Sequence, residues 1–249
     1  MVKQSLSFLK QNYLVILVFV LLGSFLVHNL DSIGQDIGRH LKIGEIIWQT
    51  GEIPKTNLFS FTEPDFSFIN HHWLSEVIFF GIFSWFGFIG LILIKVFLVL
   101  AAFFLLFSVA KRDASFWPLL ISFLLSIFIF IQRTEVRPEI FSFVILAFFL
   151  FAIFRAKYGN NYFYLWFLPI LELFWVNLHI YFFIGPLIFV FFLIDQAVSK
   201  NKFSIFNFQF SKLLIVGGLI GLATLVNPAG LKGALLPFNI LNEYGYSIV

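Results

Sequence analysis

The chain contains no cysteine among its 249 residues. A disulfide framework, a thiolate zinc site and a cysteine nucleophile are therefore excluded, and the redox compartment stays open, because a cysteine-free chain suits either side of a membrane. Charge is also scarce. Asp, Glu, Lys and Arg make up 12% of the residues, against about 25% in soluble domains. The net charge of +3 is modest and gives no reason to expect a nucleic-acid partner. In so apolar a chain the placement of Lys and Arg says more than their sum.

What is abundant is apolar bulk. Hydrophobic residues reach 60%, mean hydropathy is +0.97 and phenylalanine alone supplies 39 residues. A soluble core of this size could not bury so many large side chains, so lipid must solvate many of them. These features imply an all-α, polytopic transmembrane bundle forming a single domain over residues 1–249. Apolar runs long enough for a hydrocarbon core about 30 Å thick predict seven spans, at 12–30, 89–110, 116–133, 138–156, 162–179, 180–197 and 212–227. The first follows Lys3 and Lys10 and lacks a small-x-small cleavage site. It is expected to remain as a span that doubles as the targeting signal. The division between the fifth and sixth rests on Asn177, His179, Gly185 and Pro186.

Residues 31–88 differ from the rest, holding seven of the 13 acidic residues. From Asp36 to Thr50, Ile37, Leu41, Ile43, Ile47 and Trp48 alternate at helical spacing with Arg39, His40, Lys42, Glu45 and Gln49, which predicts an amphipathic helix. Gly51 and Pro54 stop it. Turn formers follow, Thr56-Asn57 and Thr62-Glu63-Pro64-Asp65, and then a second helix over about His72–Trp85. If that helix lies in the interface, Lys3, Lys10, Lys111, Arg112, Arg155, Lys157, Lys200, Lys202 and Lys212 fall inside. Arg39, Lys42, Lys55, Arg133, Arg137 and Lys232 then fall outside. If it spans, every later loop flips and the excess of positive charge moves outside, against the positive-inside rule. Residues 72–87 are therefore expected to lie on the outer surface, within a long first external loop carrying two interfacial helices. The N-terminus is then cytoplasmic.

This topology gathers Asp36, His40, His71, His72 and Glu76 at the outer ends of the spans. It adds Arg133, Glu135, Arg137 and Glu139 between the third and fourth, Asn177 and His179 between the fifth and sixth, and Asn227 after the seventh. An ionised side chain at bilayer depth costs about 2.5–3.5 kcal/mol, so such groups persist only if paired or used. The stretch from Gln132 to Glu139 is either a tight turn of self-paired charges or an anion site whose guanidiniums grip phosphate. Pro138 suits the start of the next helix. Asp36 is a helix-capping acid or a general base or metal ligand. His72 and Glu76 share a helix face, whereas adjacent His71 and His72 cannot point the same way. His179 is an interhelical hydrogen bonder or a phosphate partner. Lys95 and Glu172 lie inside spans, where Lys95 can snorkel and Glu172 can pair with it or with a bound polar group. Asp195 reads as a cap or interface residue.

Several stretches resemble the bacterial GT-C class of membrane glycosyltransferases, relatives of the dolichyl-phosphate-mannose mannosyltransferase-like and aminoarabinose transferase-like proteins. The loop carries Asp36-Ile37-Gly38-Arg39-His40-Leu41, Gly44-Glu45, Gly51-Glu52-Ile53-Pro54-Lys55-Thr56-Asn57-Leu58-Phe59-Ser60-Phe61-Thr62 and His71-His72-Trp73-Leu74-Ser75-Glu76. Later marks are Arg137-Pro138-Glu139, Asn177-Leu178-His179 and Asn227-Pro228 with Gly230. The resemblance implies transfer of a sugar from a polyprenyl-phosphate carrier to an acceptor glycan, lipid or protein at the outer face of the cytoplasmic membrane. Asp36 would act at the acceptor or bind a divalent metal, magnesium or manganese. Arg133 and Arg137, with Asn177 and His179, would hold the lipid phosphate. His40, His71, His72, Glu76 and Glu139 are secondary candidates. Gly38 and Arg39 stand where relatives often have aromatics. Members usually carry more spans and often a soluble C-terminal domain, so an N-terminal fragment or short form is expected here, ending at Val249 in an external loop. The rival readings are a transporter or flippase for a lipid-linked sugar, which would want polar residues along a path through the membrane, and an inactive scaffold.

Overall fold

A computed structural model describes residues 2–27, 36–59, 62, 67–130, 132, 135–199 and 208–243. Among these residues lie nine α-helices: α1 (Val2–Phe25), α2 (Ile37–Thr50), α3 (Trp73–Ala110), α4 (Phe116–Phe130), α5 (Glu139–Gly159), α6 (Leu168–Leu178), α7 (Ile184–Ser199), α8 (Phe208–Ala223) and α9 (Leu231–Glu243). Single 3-10 turns lead into α6 and α7. Extended pairing among the described residues is limited to one bridge, Thr56 to Ser67. The protein is therefore all-helical. Three helical segments, Trp73–Ala110, Glu139–Gly159 and Ile180–Val198, are long and apolar enough to cross a membrane. Shorter apolar helices occupy Asn12–Phe25, Phe116–Phe130, Phe163–Leu178 and Phe210–Ala223.

The amphipathic helix expected from Asp36 forms as α2. Ile37, His40, Ile43, Gly44 and Ile47 make its buried face, recurring every three or four residues. Gly51 ends it in the left-handed conformation at φ 71, its N–H bonding the Ile47 carbonyl, as a C-terminal glycine does. Asp36 occupies the N-cap position, but its side chain makes no capping hydrogen bond.

The helix expected over 72–87 and the span expected from residue 89 follow one another directly within α3, whose 38 residues are divided at Gly87. A straight helix of that length would reach about 57 Å, nearly twice the hydrocarbon thickness of about 30 Å. Gly87 breaks it. Its φ of 61 and ψ of −155 lie in a region that essentially only glycine occupies. The segment beyond, 88–110, is about 34 Å long. Ile89, Leu93, Phe97 and Phe104 form an exposed row along it, while Leu91, Lys95, Val99 and Ala102 face the bundle.

The weak division near residue 179 is real. His179 is extended, α6 ends at Leu178, and a 3-10 turn over Ile180–Phe183 leads into α7. Pro186 falls in the first turn of α7, where its missing N–H would have no intrahelical partner. After the seventh expected span the described chain carries a helix that the sequence reading did not foresee, α9. Asn227 holds the turn that starts it, donating to the Thr224 and Gly230 carbonyls and accepting from the Ala229 N–H. Pro237 inside α9 reads as a helix breaker in sequence.

The main core joins α5, α6, α7 and α8 to α3, with Phe149, Leu168 and Trp175 fully enclosed. A smaller core packs α1 and α4 on the far half of α3 through Val18, Leu22, Val99, Phe103 and Leu120.

Candidate functional site

The site is assembled where helix ends meet. On α2, Gly44 allows α3 to come very close: a Cβ at Gly44 would stand 2.2 Å from the Glu76 carbonyl oxygen. One turn earlier on the same face, His40 reaches the Glu76 side chain, its Nδ1 lying 3.0 Å from Oε1. His72, a turn before Glu76, brings Nε2 to 3.3 Å from the same oxygen. The other carboxylate oxygen accepts from Asn70 Nδ2 at 2.6 Å, and Asn70 Oδ1 in turn accepts from the His72 N–H. His40, Asn70, His72 and Glu76 are all buried. Burial holds the His40 imidazole below its usual range, although its hydrogen bond to Glu76 acts in the opposite sense. Burial, with His72 and His179 nearby, pulls His71 down to about 3. The His71 ring is therefore neutral at physiological pH.

Three further joints fasten the same end. Trp73 Nε1 donates to Asn177 Oδ1 at 2.8 Å, and Asn177 Nδ2 donates to the carbonyls of Leu173 and Val226. This links the start of α3 to the ends of α6 and α8. Ser142, in the first turn of α5, accepts from Trp175 Nε1 and lies 2.8 Å from His179 Nδ1. Finally, Arg137 Nη2 stands 4.0 Å from Asp36 Oδ2, joining the start of α2 to the approach to α5, while Arg137 Nε pairs with Glu135. Asp36 and Arg137 are both about half-exposed.

The structure thus gathers Asp36, Arg137, His40, His72, Glu76, Asn177 and His179 at one end of the bundle. Glu139 opens α5, where the helix dipole favours an acid. Arg133 lies outside the described residues. Glu172 is buried near Gly185 and Phe149. Neither of its carboxyl oxygens has a hydrogen-bond partner among the described residues, so the contemplated bond to Lys95 is not made there.

Sequence reasoning placed His72 and Glu76 on one helix face but did not bring His40 to them. It missed Asn70 and Ser142 as members of the network, and it missed a cavity of about 280 Å³ between the first loop and the start of α9. Lys55, His71, Asn227 and Lys232 line that cavity, beside Pro54 and Phe68. Neither lysine had a neighbour to suggest a site, because α9 was not foreseen.

A magnesium or manganese ion at Asp36 would rest on that one carboxylate with water and substrate phosphate oxygens, and Asp36 faces the Arg137 guanidinium. Among the described residues, His40, His72 and Glu76 form a group of side chains close enough to share an ion.

The fold and site define an all-helical protein with helices fit to cross a membrane and a polar network at one end. No protein-family model, curated protein or solved structure matches the chain.

Proposed function

We propose that this chain is a membrane glycosyltransferase of the GT-C class. It transfers a sugar from a polyprenyl-phosphate donor to an acceptor at the outer face of the cytoplasmic membrane. The observation that carries the reading is the meeting of the Asp36 carboxylate and the Arg137 guanidinium at 4.0 Å. The two come from opposite ends of the long loop-and-span stretch that resembles that class.

The chemistry follows from charge. The leaving group is a phosphate, so negative charge grows on it as the sugar departs, and a preplaced cation stabilises it. Arg137 supplies that cation with a fork that matches phosphate oxygens. The acceptor hydroxyl must lose a proton, and the Asp36 carboxylate accepts it. Half-exposure lets both groups reach substrate. The cavity beside Lys55 and Lys232 offers a cationic, mostly apolar recess for the polar part of a substrate. Exposed aromatic rows such as Phe97 and Phe104 on α3 suit a lipid tail. Seven crossings remain the proposed topology, with the three long segments, the four shorter apolar helices and the break at Gly87 in its favour.

The test supplies membranes containing the protein with a radiolabelled polyprenyl-phosphate sugar and candidate acceptors. Labelled product is expected from the wild type, with loss of transfer in Arg137→Ala and Asp36→Asn while both still insert. Full transfer by Arg137→Ala would remove Arg137 from the mechanism. Movement of the labelled lipid between leaflets without product would favour a transporter.

A further inference from the structure

The geometry points to a zinc-class metal site formed by His40 Nδ1, His72 Nε2 and Glu76 Oε1, fastening α2 to the start of α3. It is separate from the Asp36–Arg137 pair and stands whether or not the chain transfers sugar.

Three observations carry it. Two imidazole nitrogens converge on one carboxylate oxygen, at 3.0 Å and 3.3 Å, and the three donor atoms all lie within 4.8 Å of one another. An ion bound at 2.0–2.2 Å in tetrahedral geometry places its ligands about 3.3–3.5 Å apart, so the two histidine–carboxylate separations lie within a few tenths of an ångström of that spacing, and the two histidine nitrogens would have to settle into the same range. Next, His72 Nε2 is buried and has no hydrogen-bond partner among the described residues. It lies near Oε1 but out of line for a hydrogen bond, and its lone pair or hydrogen is otherwise unused. Third, the outer contacts resemble those that steady a ligand. Asn70 Nδ2 holds the second Glu76 oxygen, and Asn70 Oδ1 fixes the His72 backbone. Partners of this kind orient metal ligands.

The donor set selects the ion. Two nitrogens and one oxygen suit zinc, cobalt or similar transition metals better than magnesium or calcium, which prefer all-oxygen shells. On binding, the metal takes a lone pair from His40 Nδ1 and one from His72 Nε2. Each ring then carries its hydrogen on its other nitrogen, and the ion replaces the proton that now bridges His40 to Glu76. Three protein ligands leave a fourth position for water.

Cobalt(II) titrated into chelator-treated full-length protein in detergent is the decisive experiment. One cobalt per chain is expected, with visible absorption of tetrahedral intensity. Zinc should abolish that absorption, and magnesium at the same concentration should leave it unchanged. Zinc should also raise Tm. Glu76→Gln preserves side-chain shape and is expected to weaken cobalt binding at least tenfold, as is His72→Gln. Asp36→Asn should bind as the wild type does. Should either variant fail to fold, the wild-type titration still decides. The assignment is overturned if the wild type takes up no stoichiometric cobalt, or if binding is undiminished in both folded variants.

Discussion

Arg137 divides its fork, with Nη2 directed to Asp36 and Nε to Glu135. A lysine there would keep the charge but offer a single point of contact. Charge-assisted hydrogen bonds are worth about 1.5–3 kcal/mol, so Arg137→Lys should lower transfer at least about tenfold. Initial rates with the radiolabelled donor check this, and a lysine variant within twofold of wild type would mean that charge alone suffices. Asn177 has the opposite character. Both its amide hydrogens are donated, to Leu173 and Val226, and its oxygen accepts from Trp73. Asn177→Ala should cost about 1–3 kcal/mol of stability, read as a fall in Tm in detergent. Recruiting Asn177 to a phosphate would first require breaking one of those bonds. The sequence offered each of these residues as a candidate but not their partners. His40 and Glu76 lie 36 residues apart and Trp73 and Asn177 lie 104 apart, and periodicity within one helix says nothing about contacts across the bundle.

Gly44 decides how closely α2 can lie on α3. A methyl there would meet the Glu76 backbone, so Gly44→Ala must push the helices apart. A loss of about 1–3 kcal/mol is expected, together with a loosened His40–Glu76 contact. Gly38 stands one and a half turns away on an exposed position with open space around it. Gly38→Ala should be neutral or stabilising by up to about 1 kcal/mol. Thermal melts of the pair separate close packing from helix propensity, and equal losses would deny Gly44 its special role. The bounds of α2 were legible because apolar spacing, a capping position and a terminal glycine all agree. α9 was not, since a proline at its middle and a turn at its start mimic a loop. The division of α3 near residue 87 was legible too, since Gly87 falls between the two segments the sequence separates, although its backbone conformation was not.

At the scale of the whole molecule, apolar content alone made a helical bundle legible, whereas the number of crossings and their direction depend on where the polar ends sit relative to lipid. The absence of cysteine makes this directly measurable, because any introduced thiol reports without background. The proposed topology puts Glu52 outside and Asp113 inside, and both are exposed. A membrane-impermeant maleimide should label Glu52→Cys in intact cells and Asp113→Cys only after permeabilisation. Labelling of both from outside would reverse part of the topology and with it the shared leaflet of the site. Gly87 adds a mechanical consequence. Helices tilt to suit bilayers of different thickness, and a rigid rod would carry that tilt along its full length. If residues 88–110 cross the bilayer as proposed, the break at Gly87 keeps their tilt from being carried rigidly into the half that bears Glu76 and packs on α2.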